Sequence, residues 1–287
     1  MTLQTRPEIL RYTAFTTDPA GGNPAGVVLD AAALDDAAML AIAAEVGYSE
    51  TAFVTAADDG ARRFRLRFFS PLAEVAFCGH ATVATAVATA ERIGAGPLVF
   101  DTPVGEIALD TSAGPAGSVT ATLTSVPTRS RPADDEEVSA SLAALRWSAE
   151  DLDPALPPHV AFGGNDHLVL AVATRERLAA LDYDFDALAE IMHRRGWTTL
   201  QLVWRESPEL FHARDPFPIG GVVEDPATGA AAAALGGYLR TLGALPPSGA
   251  FTVRQGEDLG RPSLLRVEAS AADPRVRVSG QAVVLAR

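Results

Sequence analysis

Cys78-Gly79-His80-Ala81-Thr82-Val83-Ala84-Thr85-Ala86-Val87-Ala88 carries no charged side chain, and none follows until Glu91. Glu224-Asp225-Pro226-Ala227-Thr228-Gly229 opens a second such run, Ala230 to Leu239, uncharged until Arg240. A helix that is apolar on every side is buried all round, here inside a sheet wrapped about it. A buried helix start leaves several backbone N–H groups in need of partners, and a substrate carboxylate can supply them. Phenylalanine stands nine residues before each turn, Phe69 before Cys78 and Phe217 before Pro226. Two matched openings suggest two helix N-termini converging on one small anionic ligand, in an enzyme that needs no cofactor. The plainer alternative is that Thr82, Thr228 and local waters cap these ends.

Outward from the two runs, other features recur in the same order. Ala14-Phe15 precedes Gly21-Gly22-Asn23 and the strand-like Gly26-Val27-Val28-Leu29. Ala161-Phe162 precedes Gly163-Gly164-Asn165 and Leu168-Val169-Leu170-Ala171-Val172. A helix with apolar residues three or four apart is expected over 34–46, and another over 176–193 with Thr174 as N-cap. Residues 51–55 and 63–69 are expected to pair antiparallel across the turn Ala57-Asp58-Asp59-Gly60. Residues 98–101 and 105–109 form a second hairpin, and 119–123 alternate as a further strand. Arg129 to Glu137 marks the boundary region, its four acids a solvated helix start. Strands at 264–267 and 276–285 can complete either half. The expected fold is α/β of the α+β kind: two pseudo-symmetric halves, each a mostly antiparallel sheet around a central buried helix. The N-terminal half covers 1–125, open to completion by the strand at about 276–287, and the C-terminal half covers 126–275.

The chain has 287 residues and a formal charge of −13, which makes nucleic acid and anionic membrane surfaces poor partners. Its single cysteine excludes an intrachain disulfide framework and Cys-rich metal sites. Residues 1–10 lack an apolar signal core, so a soluble, cytoplasmic protein is expected. The Gly-rich pieces lack the strand–turn–helix setting of a dinucleotide fingerprint. His167, His193 and His212 have no metal-ligand spacing, and His159, after Pro157-Pro158, is expected in a loop. No Gly-x-Ser-x-Gly run marks a hydrolase. No metal is expected.

Several stretches together resemble one family. Gly22-Asn23-Pro24-Ala25-Gly26-Val27-Val28-Leu29, Ser49-Glu50-Thr51-Ala52-Phe53-Val54, Cys78-Gly79-His80-Ala81-Thr82 and Glu224-Asp225-Pro226-Ala227-Thr228-Gly229 are similar to the phenazine-biosynthesis PhzF-like family. Gln255-Gly256 with Gly260-Arg261-Pro262-Ser263 adds to the likeness. The resemblance implies the diaminopimelate-epimerase-like fold, a site in the cleft between the halves, a homodimer, no metal or organic cofactor, and a small carboxylated metabolite as ligand. It implies a cofactor-independent isomerase of the trans-2,3-dihydro-3-hydroxyanthranilate isomerase type.

The resemblance makes Glu50 the proton-shuttling acid/base. On its own it reads rather as a surface acid capping a turn, though enclosure in an apolar cleft would raise its pKa. His80, at a helix start, becomes a substrate-orienting or catalytic group, and Asp225 a supporting acid/base or an N-cap. Asn23, Ser49, Cys78, Gly79, Ala81, Thr228, Gly229 and Ala230 are the implied substrate contacts. Related racemases of this fold use two thiols, one per helix start. Cys78 faces Pro226 at the matching place, so that mechanism is excluded within the monomer. Ala230 also stands where the family pattern has serine, which puts the phenazine precursor itself in question. The reading is therefore an isomerase moving a proton on a small, cyclic carboxylate. Its alternatives are a one-base epimerase or racemase of an amino-acid-like substrate, and a non-catalytic metabolite- or partner-binding protein.

Overall fold

In the computed structural model the described residues are 6–58, 60 and 62–286. Asp59 of the expected turn and residues 1–5 of the stretch read for a signal core lie outside them. The fold is α+β and dominated by sheet. The chain divides into two compact units, 1–124 with 279–287 and 125–278.

The first unit contains β1 (Leu10–Ala14), β2 (Asn23–Val28), α1 (Asp36–Val46), β3 (Thr51–Asp58), β4 (Arg63–Phe69), β5 (Glu74–Val75), α2 (Gly79–Ile93), β6 (Gly96–Thr102), β7 (Gly105–Ala113) and β8 (Val119–Thr124). Its strands close on themselves in the order β1-β2-β3-β4-β6-β7-β8, and the C-terminal strand Arg277–Val284 joins β8 to β1. Closure removes the sheet edges and leaves an interior that one helix fills. That helix is α2: every side chain from His80 to Ala90 is buried. Ala, Thr and Val make up most of it, small side chains that let the surrounding strands approach closely. Two pairs in the ring are parallel, β2 with β3 and β4 with β6. Parallel neighbours need a crossover, and α1 and α2 supply them.

The second unit contains β9 (Arg129–Pro132), α3 (Asp135–Leu145), β10 (His159–Phe162), β11 (Asp166–Val172), α4 (Arg175–Ala179), α5 (Phe185–Arg195), β12 (Trp197–Ser207), β13 (Leu210–Pro216), β14 (Glu224–Asp225), α6 (Gly229–Leu242), β15 (Ala250–Gln255) and β16 (Ser263–Glu268). The sheet runs β9-β10-β11-β12-β13-β15-β16, parallel at β11–β12 and β13–β15. Helix α6, buried from Ala231 to Leu239, crosses from β13 to β15. Leu168, Leu170, Leu200 and Leu202 face away from it and form a second core with Trp147, Leu188 and Met192. The acids at 134–137 start α3 through a capping box, with Asp134 accepting from Glu137 N–H.

Two expectations are corrected. The single helix over 176–193 is two: α4 ends at Ala179, and Asp184 caps α5 afresh by accepting from Ala187 N–H. Thr174 caps α4 as expected. An N-capping aspartate inside an apolar-periodic stretch restarts the helix rather than continuing it. His159 is not in a loop: it is the first residue of β10, buried against Tyr238.

His167 is wholly buried on β11, with Nδ1 against Thr199 Oγ1 at 2.8 Å. Burial lowers its pKa to about 4. Its folded value lies below the unfolded one near 6.5, so the stability it confers is present above about pH 6.5 and lost as pH falls towards 4. Chemical denaturation should show wild type losing about 3 kcal/mol relative to His167→Gln across that window. A constant difference would mean the ring is not held neutral.

Gly163 shows why the turn at 163–164 lacks side chains. A Cβ there would lie 2.4 Å from Ala230 O and 2.6 Å from Ala234 N. Backbone cannot step aside as a flexible side chain can, so Gly163→Ala is expected to cost about 2 kcal/mol, read from the urea midpoint. Gly164→Ala meets nothing within 4 Å but sits at φ 115°, and serves as the backbone-strain comparison.

Candidate active site

In the first unit, all seven of the expected site residues come together at the start of α2. Gly47 ends α1 in the left-handed conformation, φ 72°, and the chain turns through Tyr48 and Ser49 to Glu50. Glu50 O accepts from Gly26 N–H at 3.2 Å, which ties this corner to β2. Its carboxylate then reaches the helix start: Oε2 lies 3.4 Å from His80 Nε2 and 3.5 Å from Cys78 Sγ. Cys78 is the N-cap residue of α2 but makes no side-chain cap; its thiol also lies 3.4 Å from His80 Nδ1. Thr82 does not cap either, because its hydroxyl donates backward to Cys78 O. Gly79 and Ala81 lie in the first turn of α2. A Cβ on Gly79 would meet nothing nearer than Phe77 at 4.0 Å, so there is room beside this first turn.

Asn23 fixes the imidazole. Its Nδ2 is 3.1 Å from His80 Nδ1; as the amide is placed it donates there, which leaves the ring proton of neutral His80 on Nε2, the nitrogen facing Glu50. Ser49 Oγ is 3.4 Å from the same Nε2. The imidazole is 7% exposed and the carboxylate 17%, so Glu50 is the member of the pair that a ligand can reach. Such separations sit at the long end of hydrogen bonding and are of the kind that tighten when a ligand is bound. Donor atoms of Glu50, Cys78 and His80 lie within 4.8 Å of one another, close enough to hold a metal ion. Without an ion, the Cys78 thiol hydrogen-bonds both Glu50 and His80 and links the trio.

In the second unit, Asp225 closes the short strand β14 and Thr228 is the N-cap residue of α6, again without a side-chain cap. The N-cap position is therefore Thr228, three residues after Asp225. Thr228 turns its hydroxyl back to donate to Asp225 Oδ2 at 2.6 Å. Gln255 locks the turn, with Oε1 accepting from Thr228 N–H at 3.1 Å and Nε2 donating to Asp225 O at 2.8 Å. Gly229 and Ala230 form the first turn of α6 beside it and are part-exposed. β14 is itself anchored by Arg214, whose Nε donates to Glu224 Oε2 at 2.9 Å and whose Nη2 pairs with Glu224 Oε1.

Three residues of this network had no role in the sequence reading. Gln255 and Glu224 belonged to quoted motifs, and Arg214 to none; only a buried arginine within a strand hinted at it.

Comparison with known proteins follows the same lines. The family described as "Phenazine biosynthesis-like protein" (PhzC-PhzF) matches residues 12–287. An uncharacterised isomerase, YddE, of Escherichia coli (strain K12) is 33% identical over 302 residues, covering 98% of this chain and 97% of the relative. A trans-2,3-dihydro-3-hydroxyanthranilate isomerase of Pseudomonas fluorescens is 31% identical over 280 residues, covering 96% and 95%. A solved structure described as a predicted epimerase, from Pseudomonas aeruginosa, superposes with TM-score 0.85 at 29% identity, covering 98% of both chains. Among the described residues no helix is long and apolar enough to cross a membrane.

Proposed function

This chain belongs to the phenazine biosynthesis-like PhzC-PhzF family, and we propose that within it the protein is an acid/base isomerase of a small, cyclic carboxylated substrate. The observation that supports this most is the contact of Glu50 with His80 and Cys78 at a helix start that neither Cys78 nor Thr82 caps with its side chain. The backbone N–H groups of Gly79, His80 and Ala81 hold the substrate carboxylate, aided by the positive end of the α2 dipole. Glu50 takes a proton from a carbon next to the unsaturated system. Charge spreads over the conjugated anion, and the same carboxyl returns the proton to another carbon. Neutral His80 donates from Nε2 to Glu50 while that group is ionised, and Asn23 keeps the tautomer. Asp225 is the supporting acid/base, with Thr228, Gly229 and Ala230 beside it. The same reading makes the protein a cytoplasmic homodimer.

Trans-2,3-dihydro-3-hydroxyanthranilate, the compound named for the Pseudomonas fluorescens relative, is the first to try, although Ala230 brings no hydroxyl to its helix start. In D2O the expected result is double-bond migration, with deuterium at the newly protonated carbon to the extent that the Glu50 carboxyl exchanges its proton with solvent before returning it. The Cys78 thiol beside Glu50 favours one alternative, an epimerase of an amino-acid-like substrate. Deuterium uptake with inversion at a stereocentre, and no double-bond shift, would replace the isomerase with it.

A further inference from the structure

His212, in β13, has a carboxylate on each ring nitrogen: Nε2 lies 2.7 Å from Glu206 Oε2, and Nδ1 lies 2.8 Å from Glu257 Oε2. A neutral imidazole donates one proton and accepts one, whereas a carboxylate only accepts. A neutral ring would therefore turn a lone pair towards one of the two acids. The other way to fill both contacts is a proton on a carboxyl. Glu206 and Glu257 are 45% and 33% exposed, however, and acids that reach water are ionised at neutral pH. The ring itself is 9% exposed, so water has little room to replace either contact. Trp204 packs against it, with ring centroids 5.3 Å apart. The remaining charges around the ring are Asp258, its partner Arg175 of α4 at 3.0 Å, and the exposed Arg254 opposite His212 in β15. Three acids thus face two arginines, and a cation at His212 completes the balance.

We propose that His212, with a proton on both ring nitrogens, is a positioning residue for the Asp225–Thr228 turn. Glu206 and His212 belong to the β12–β13 hairpin, whereas Glu257 lies in the turn at 256–260 that follows β15. That turn is closed on Gly256 O, which accepts from Leu259 N–H at 3.1 Å and from Arg261 N–H at 3.0 Å, so it is held as a unit. Its first residue lies against the other turn: a Cβ on Gly256 would be 2.8 Å from Pro226 O. The residue before it is Gln255, whose Oε1 accepts from Thr228 N–H and whose Nε2 donates to Asp225 O. By donating to Glu206 and Glu257 together, His212 ties the 256–260 turn to the hairpin and keeps Gln255 seated on Thr228 and Asp225. A ring with one proton keeps only one of the two carboxylates and releases that tie. The consequence for catalysis rests on the acid/base role proposed for Asp225, while the clamp itself does not.

The test uses the full chain and needs no substrate. Nitrogen NMR of histidine-labelled protein at neutral pH should show both ring nitrogens of His212 protonated, the signals being assigned by their loss in His212→Gln. A neutral tautomer with one bare nitrogen overturns the proposal. Amide hydrogen exchange reads the positioning. Thr228 N–H, held by Gln255 Oε1, should exchange about tenfold faster in His212→Gln and in Glu257→Ala, while amides of the β11–β12 ladder keep their wild-type rates. An unchanged Thr228 rate overturns the proposal, and so does a uniform acceleration of all amides, which is what a merely structural role would give. Glu257 is part-exposed, so Glu257→Ala and the wild-type spectrum decide the matter even where His212→Gln does not fold. A failed substrate screen would count against the isomerase and leave these readouts untouched.

Discussion

Glu50→Gln is expected to lower kcat by about 10²–10⁴-fold, the usual worth of a positioned general acid/base, with KM little changed. Gln preserves the shape of the side chain, and the tie that holds this corner in place is a backbone one, Glu50 O to Gly26 N–H. The side-chain contacts to His80 and Cys78 are 3.4 and 3.5 Å, too long to support much stability, so the thermal midpoint should stay close to wild type. What the change removes is the ability to carry a proton. An interaction used in the transition state and not in binding shows in kcat rather than KM. Glu50→Asp separates chemistry from reach: it keeps the carboxylate but withdraws it by one methylene, and should fall between Gln and wild type. Full turnover in Glu50→Gln would return Glu50 to a surface acid that ends a turn.

Glu224→Gln is expected to destabilise the protein by about 3–5 kcal/mol, the cost of leaving one partner of a buried ion pair uncompensated. The side chains of Arg214 and Glu224 are 9% and 3% exposed, so water cannot replace the missing charge. Arg214 keeps two neutral acceptors, Ala179 O at 2.8 Å and Leu178 O at 3.3 Å from Nη1, which do not balance a guanidinium. Removing both charges together, as Arg214→Met with Glu224→Leu, should recover most of the loss, because a well-packed apolar pair often matches a buried ion pair. The pair also carries β14, and β14 carries Asp225. The single variant should therefore disturb the Thr228–Asp225 bond, seen as a changed Asp225 titration in whatever fraction remains folded. A loss below about 1 kcal/mol would show that water reaches the pair.

Much of the fold can be read from hydrophobic pattern alone, and the reason is burial. Residues 81–88 and 230–239 carry no charge because α2 and α6 are enclosed, and that signal survives any detail of sheet order. Arg63-Phe64-Arg65-Leu66-Arg67-Phe68 alternates because β4 has one inner and one outer face. Pattern fails where one residue overrules it. Asp184 restarts a helix inside an otherwise continuous period, and His159 enters a strand directly after two prolines. At the site, a helix start is visible as Gly with small residues, but its capping is not. Sequence could not decide whether Thr82 and Thr228 cap their helices; the hydroxyls turn to Cys78 O and Asp225 Oδ2 instead. The pairing of Asp215 with Asp225 depends on strand register, which a two-residue strand such as β14 does not announce. Glu50 was found through family likeness, since a lone Glu between a helix and a strand has no pattern of its own.

The central claim is that the open start of α2, with Glu50 beside it, is where a substrate carboxylate and its reacting carbon sit. The most direct measurement is a crystal structure of the protein with an unreactive aromatic carboxylate shaped like the trial substrate. The account predicts the carboxylate on the N–H groups of Gly79, His80 and Ala81, with the Glu50 carboxylate in van der Waals contact with a ring carbon and His80 Nε2 drawn closer to Glu50. A carboxylate bound elsewhere, with the Glu50–Cys78–His80 group unchanged and empty of ligand, would contradict it.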